Sequence, residues 1–471
     1  MGGQRHKAAR LAAATAVALV AVAVVSASSA AAATERIFSV AGAGFFNRVN
    51  VSVAPPTGDN GPAAFARLTF PVAVAATPDG GFLVAEAERH RVRRVSPRGV
   101  ITTVAGTGRG GLSGDGGPAT AARINTPVGV AQLADGTVAF ADQRNNRVAL
   151  VDPAGVIGTL ATVIAPDGVA AAADGGVLVV QGFENRVLHV DRAGVMTAVA
   201  GSGVRGFLGD GGPATAARLS RPKGVASMPD GGFLIADGNR VRRVAPDGTI
   251  STVAGNGAMV PSGDGGPATA AGVPRPAAVA ATPDDGFLIA SVNQIRRVRP
   301  DGTIVTLAGT GRGNFSGDGG PARSANTWLP RGVAAAAGGG VFLAEPIAGK
   351  VRFIDSADPG PALGVATPRF MAASFARGIQ RGGVNNMTRI RVACPPRLVA
   401  VRFALARAAT VSVVVTRSGK TVARPGAHLG AGAHVLRFRV SQTGEHLVRL
   451  TAVDSLRRAA HDQAQLSVNR C

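Results

Sequence analysis

The chain has 471 residues, 46% of them hydrophobic, with 65 glycines, 29 prolines, one tryptophan and no tyrosine. This composition supplies a core and points to a turn-rich β fold rather than a helical one. The aromatic content of 4% argues against the base-stacking platforms of a nucleic-acid binder. The formal charge of +22 is carried almost wholly by arginine. It fits either the residue usage of a GC-rich genome or attraction to an anionic partner such as a wall polymer or lipid headgroup.

At the N-terminus, Arg5, Lys7 and Arg10 precede an apolar stretch, Leu11 to Val25, and a run of small residues, Ser26 to Ala33. That order has the form of a cleaved export signal over residues 1–33. The expectation is a secreted or cell-surface bacterial protein. No cysteine follows the apolar stretch to carry a lipid, and no later stretch is apolar enough to span a membrane.

Two units then recur. One is an alternating strand: Ile101-Thr-Thr-Val-Ala-Gly106, Met196-Thr-Ala-Val-Ala-Gly201, Ile250-Ser-Thr-Val-Ala-Gly255 and Ile304-Val-Thr-Leu-Ala-Gly309, with a weaker copy at Ile157 to Thr162 and an orphan at Ile37 to Gly42. The other opens with a proline and a small apolar strand at Pro71, Pro127, Pro166, Pro222, Pro276 and Pro330. After each proline-led strand come a Gly-rich turn, a second apolar strand such as Phe233-Leu-Ile-Ala236, and a third such as Asn239-Arg-Val-Arg-Arg-Val244. Four strands per repeat joined by tight hairpins are the pattern of a β-propeller. The small residues of the first strand suit the crowded position next to the axis. The sixth repeat lacks a fourth strand, and the orphan at Ile37 supplies one. The expected fold is therefore an all-β, six-bladed propeller over residues 34–359, closed by its own N-terminal strand, with no open sheet edge left in the ring.

The stretch Asp142-Gln-Arg-Asn-Asn-Arg-Val148, with variants at Glu86 to Val92 and Asp237 to Val241, resembles the NHL-repeat family over roughly residues 36–357. It is similar to a bacterial secreted subgroup carrying Ser-Gly-Asp-Gly-Gly-Pro-Ala-Thr-Ala-Ala inserts. Here the insert occurs at Ser113 to Ala122 and Ser262 to Ala271, with variants at Leu208 to Ala217, Ser316 to Ala325 and Gly58 to Pro62; only the second-to-third connection lacks it. Proline followed by alanines predicts one or two helical turns with Pro118, Pro213, Pro267 and Pro321 at the first helical position. Each insert brings one aspartate: Asp59, Asp115, Asp210, Asp264 and Asp318. These form either a ring of rim loops that could meet a cation or partner, or structural plugs between blades. One carboxylate per loop is thin for calcium.

For chemistry, the resemblance implies that enzymatic relatives work through a metal in the channel. Lactonase-like ones use Glu, Asn and Asp there, and lyases use His and Glu. Within this propeller the histidines are His90 and His189. No Ser-His-Asp set or phosphate-cradling loop is evident, the pattern predicts no cofactor, and a channel divalent cation stays open as an alternative. At the acidic position of the NHL stretch the repeats carry Glu86, Asp142, Gln181, Asp237, Ser291 and Glu345; at the basic position, Arg91, Arg147, Arg186, Arg240, Gln294 and Lys350. Acid and base vary together, which predicts charge pairs that either stabilise each blade or ring the channel mouth.

Residues 360–388 hold no repeat and read as a linker. Residues 389–471 return to short strands and resemble small Ig-like or flagellar-hook-cap-like β-sandwiches. Cys394 and Cys471 bracket this segment, and in an exported protein they predict a disulfide, worth about 4–5 kcal/mol in the chain-entropy model. Two cysteines without a histidine pair do not make a zinc site. The sequence thus points to a monomeric, secreted, non-enzymatic binding or scaffold protein that uses one propeller face for a protein or an anionic cell-surface polymer. The alternative is a metal-dependent hydrolase or lyase acting in the channel.

Overall fold

The computed structural model describes residues 35–44 and 58–355, and beyond them strands within 373–468. The export segment, Cys394 and Cys471 lie outside the described residues. Six antiparallel sheets form the blades. Blade 1 runs Pro71–Ala76, Phe82–Glu86, Arg91–Val95 and Val100–Ala105, termed strands a to d from the inside out. Each strand a lies beside the next around the ring, and Gly332–Ala335 of blade 6 returns to Pro71–Ala76. Glycine at this level allows the close approach. An added Cβ at Gly129 would meet the Asp167 carbonyl oxygen and the Val169 nitrogen at 2.8 Å, and one at Gly332 would meet the Val74 nitrogen at 2.8 Å.

Closure is as expected. Blade 6 contributes Gly332–Ala335, Val341–Glu345 and Lys350–Ile354, and its strand d is Ile37–Ala41, with Ile37 opposite Ile354 and Phe38 opposite Phe353. Among the described residues, buried apolar side chains cluster at each blade junction. The closing junction adds an aromatic stack, Phe82 to Phe342 at 4.6 Å and Phe342 to Phe353 at 4.9 Å between centroids. Such contacts contribute about 0.5–1.5 kcal/mol each beyond their burial.

The inserts run down the outer wall and add a short strand to the following blade. Gly61–Pro62 pairs with Val100 and Ile101, while Pro118, Pro213, Pro267 and Pro321 bridge to Val156, Thr249, Thr303 and Arg36. The helical turns are single 3₁₀ turns, Ala119–Ala121 and its counterparts, and the proline precedes the turn instead of starting it. Pro118 has ψ of 123° because it is still engaged with the next blade, and Ala119 donates its N–H to the Gly155 carbonyl. Five outer edges are covered in this way. Blade 3 receives no insert, and Met196 on its strand d is 48% exposed.

In the C-terminal region Leu398–Leu405 pairs with Ala373–Phe375 and Gly432–Arg439, so a strand falls within the stretch read as linker. A second sheet is built around Ala409–Arg417, Gly444–Asp454 and Ala459–Val468. Among the described residues no helix is long and apolar enough to cross a membrane.

Because strand d of blade 6 comes from the far end of the chain, Ile37–Ala41 is the strand that completes the last blade. Deleting residues 35–43 is expected to abolish the single cooperative thermal transition of the propeller. Calorimetry showing an unchanged transition would contradict this closure.

Candidate binding site

All six strands a begin at one end of the channel, and the residue before each leading proline is in the left-handed region: Phe70, Thr126, Ala165, Arg221, Arg275 and Leu329 have φ between 43° and 58°. Residues before proline ordinarily stay extended, and a bulky residue held left-handed costs about 1–3 kcal/mol. Two hydrogen bonds hold the conformation at the junctions leading into blades 2 to 6, and the first of them is present at Phe70 as well.

The first comes from the same blade. Glu86, Asp142, Asp237 and Glu345, at the end of strand b, accept the backbone N–H of Thr69 (3.1 Å), Asn125 (2.5 Å), Ser220 and Trp328 (2.6 Å). In blade 5 the corresponding residue is Pro274, which has no N–H, and the acid is replaced by Ser291, whose hydroxyl donates to the Pro274 carbonyl at 2.5 Å. In blade 3 Gln181 donates to the Ile164 carbonyl at 3.3 Å.

The second bond comes from the preceding blade. Asn146, Asn185, Asn239 and Asn293 accept the N–H of Ala165, Arg221, Arg275 and Leu329 at 2.9–3.1 Å, and His90 Nδ1 accepts that of Thr126 at 3.1 Å. This is the structural use of the asparagine in the NHL stretch.

The mouth framed by these residues is electrically lopsided. Blades 4 to 6 present Arg221, Lys223, Arg275 and Arg331 immediately before or after the leading proline, all exposed. Arg221, Arg275 and Arg331 have no ion-pair partner among the described residues. Phe183, in the b–c turn of blade 3, is 66% exposed, with the Arg221 guanidinium 5.9 Å and the Lys223 ammonium 6.0 Å from its ring centre. Asp167 sits beside them, holding Lys223 at 3.5 Å, Gln143 at 3.0 Å and the Gly182 N–H at 3.2 Å, and burial pushes its pKa up. Glu184 and Glu88 are the exposed acids of the neighbouring turns. At the opposite end of the channel four cations are paired: Arg94, Arg243 and Arg297 bind Asp79, Asp230 and Asp284, and Arg192 binds Asp135 at 2.9 Å.

The insert aspartates and the strand acids, read from sequence as two sets, meet at one buried arginine. Arg93 bridges Asp59 and Glu86 (3.2 Å to Glu86). Arg242 bridges Asp210 (2.5 Å) and Asp237 (3.7 Å), and Arg352 bridges Asp318 (2.8 Å) and Glu345 (3.5 Å). Arg296 binds Asp264 at 2.5 Å. In blade 2 Arg147 reaches both Asp115 (2.7 Å) and Asp142 (2.8 Å).

The expected pairing is therefore corrected in three blades: Arg91, Arg240 and Lys350 do not make ion pairs with Glu86, Asp237 and Glu345. The carbonyls ending strand d claim Arg91, at Gly106 and Thr107, and Arg240, at Asn256; Ser39 holds Lys350 at 3.0 Å. The arginine two residues on lies beneath the insert, and its burial demands a carboxylate. Its recurrence in Arg-Val-Arg-Arg-Val was visible, but its partner sits on a different element. Blade 3, without an insert, has Leu188 in its place.

His189 pairs with Asp174 at 2.9 Å, and burial lowers the pKa of His90. Among the described residues no three His, Cys, Asp or Glu side chains gather as a metal-holding group.

Blade 3 suggests how the buried pair is replaced. Arg242→Leu alone is expected to cost about 3–5 kcal/mol, because buried Asp237 and the insert's Asp210 both lose their cation. Adding Asp237→Gln, the blade 3 combination, should return about 1–3 kcal/mol of coupling in a double-mutant cycle by denaturant unfolding.

The strand acids also titrate unusually. Burial raises Asp237 to about 6 and Glu345 to about 7, outweighing the attraction of Arg242 and Arg352, and Asp318 adds to the rise at Glu345. With the folded pKa above the unfolded one, ionisation opposes folding, so the Glu345 contribution falls as pH rises from about 4.5 to about 7 and is flat above that. Glu345→Gln should remove a slope on the order of 2–3 kcal/mol across that window. Stability curves of the two proteins that stay parallel from pH 4.5 to 7.5 would contradict it.

Residues 205–264 match the Teneurin NHL domain family. Over 265 residues, 53% of this chain, the sequence is 26% identical to Teneurin-m of Drosophila melanogaster, of which it spans 8%. A structural genomics protein of unknown function from Bacteroides thetaiotaomicron superposes with a TM-score of 0.51 at 17% identity, over 68% of this chain and 76% of that one. Auxiliary nutrient binding proteins from Bacteroides thetaiotaomicron and Bacteroides ovatus each superpose at 0.50 and 15% identity with the same coverage. These likenesses support NHL-type repeats and a propeller fold.

Proposed function

We propose that the chain is an extracellular, non-enzymatic binding protein that holds an anionic cell-surface polymer across the proline-led mouth of its channel. The observation that carries this reading is the contrast between the two ends. Arg221, Arg275 and Arg331 lack acidic partners among the described residues, whereas at the far end Arg94, Arg192, Arg243 and Arg297 are each paired. Unpaired cations on a rigid frame concentrate an anionic ligand, and the effect is screened by salt. The N-terminal export pattern is consistent with such a ligand outside the cell. Two propellers of this fold carry the description auxiliary nutrient binding protein; at their identity they speak for the fold, and the ligand class rests on the arc. In this reading the aspartate-bearing inserts are plugs that fix blade spacing, and residues 389–471 are an Ig-like spacer.

Two variants of equal net charge test the reading. Replacing Arg221, Arg275 and Arg331 with Gln should weaken binding of the mature chain to polygalacturonate by at least about tenfold at low salt and flatten the salt dependence. Replacing Arg94, Arg243 and Arg297 with Gln should leave affinity near wild type. Equal losses in the two variants would mean that bulk charge, not the mouth, governs binding.

A further inference from the structure

The geometry points to one subsite within that mouth: Phe183, Arg221 and Lys223 form a seat for a single acidic sugar unit, with Asp167 as its hydroxyl acceptor. The inference deepens the anionic-polymer reading and rests on it. Phe183 is 66% exposed, whereas Phe70 and Trp328, which stand just before the leading prolines of blades 1 and 6, are partly buried. Its turn is held against blade 4. A Cβ added at Gly182 would lie 2.4 Å from Asp167 Oδ2 and 2.7 Å from the Pro222 carbonyl oxygen, so only glycine lets the turn close there. The ring is thus presented by a packed support, and an exposed ring held in place loses little entropy on binding.

Two cations flank the ring from the adjacent blade, at 5.9 and 6.0 Å. The carboxylate of a sugar stacked on Phe183 would fall between a guanidinium, which takes it bidentately, and an ammonium. Asp167 lies at the edge of the same seat, bonded to Lys223, Gln143 and the Gly182 N–H. A carboxylate there accepts hydrogen bonds from hydroxyl groups and repels phosphate. A hexuronate offers an apolar ring face, hydroxyl donors and one carboxylate. A nucleotide offers a stacking base but brings a phosphate towards Asp167 and Glu184. The chemistry therefore favours the sugar acid.

Calorimetry with trigalacturonate, its methyl ester and oligouridylate tests the seat, with long polygalacturonate reporting on the arc as a whole. Wild-type protein should bind trigalacturonate about tenfold or more tighter than the ester, and Phe183→Ala should lose about tenfold for the acid. Arg221→Gln with Lys223→Gln should remove the preference for acid over ester while leaving the ester affinity nearly unchanged. Phe183 is exposed, so its replacement leaves the core intact, and an unaltered melting temperature confirms that. If Phe183→Ala binds trigalacturonate like wild type while long polygalacturonate still binds through the arc, the seat is refuted and the wider reading stands. If oligouridylate binds as tightly as trigalacturonate and is equally sensitive to Phe183→Ala, the site is one for nucleotides. If no polygalacturonate of any length binds at low salt, both readings fail.

Discussion

In blades 2 to 6 the left-handed residue before strand a is held by two hydrogen bonds of different origin, and the geometry of the channel mouth depends on them. One side chain comes from the blade being entered and the other from the blade being left, so the conformation exists only where two blades meet. Its strain is offset by contacts that no isolated repeat could make. The same clamp aims the side chains on either side of the leading proline. A substitution at Asn185, which holds Arg221, therefore acts on the mouth without lying in it. Closure between blades 6 and 1 is handled differently. Gly349 stands where the other junctions carry Asn or His, and the Phe82–Phe342–Phe353 stack supplies the local order instead.

The buried arginines answer a different need. A four-stranded blade ends in an exposed edge, and five of the six edges are covered by an insert. Covering the edge with a Gly-rich segment adds few apolar contacts, so each insert is pinned electrostatically, by an aspartate that reaches through to an arginine with almost no exposure. Aromatic side chains from the approaching loops close over two of them: Phe207 lies 4.8 Å over Arg242 and Phe315 4.6 Å over Arg352. Removing the whole device is tolerated where all its parts go together. Blade 3 has no insert, Leu188 for the arginine, Gln181 for the acid and Ala198 for the strand d hydroxyl. That joint replacement within one chain is the behaviour expected of a buried ion pair, which is costly to break and cheap to exchange for apolar contact.

Much of the ring was legible because its signals are local. The Pro-led strand, the Asp-Gly turn and the Val-Ala-Gly end each lie within a few residues, and the orphan at Ile37 is recognisable as a fourth strand because the sixth repeat lacks one. The charge pairs were harder. Glu86 and Arg91 are neighbours on paired strands, yet Arg91 turns to the carbonyls of Gly106 and Thr107 while Arg93 takes the acid, because only the tertiary position of the insert decides which arginine is buried. The variation of Ser291 was visible and was matched to Gln294. Its actual correlate is Pro274, seventeen residues upstream, since an acid has nothing to accept from a proline. The exposed Phe183 was not singled out. An aromatic in a turn has no periodicity to mark it, and its significance depends on cations from the next blade.

A net charge of +22 says little by itself, and its disposition says more. The arginines beneath the inserts are buried and matched by aspartates, and Arg94, Arg243 and Arg297 of the far channel end are matched by aspartates of the a–b turns. Both groups serve the scaffold. Arg221, Arg275 and Arg331 stand on the one surface whose backbone the left-handed residues hold in place, so an anion meeting them encounters positive charge carried on a rigid frame. Six-fold repetition would by itself distribute such residues evenly. The cations beside the leading prolines occur in blades 4 to 6, with Phe183 and Asp167 at one end of the arc, which breaks the pseudo-symmetry and gives an extended ligand a direction in which to lie.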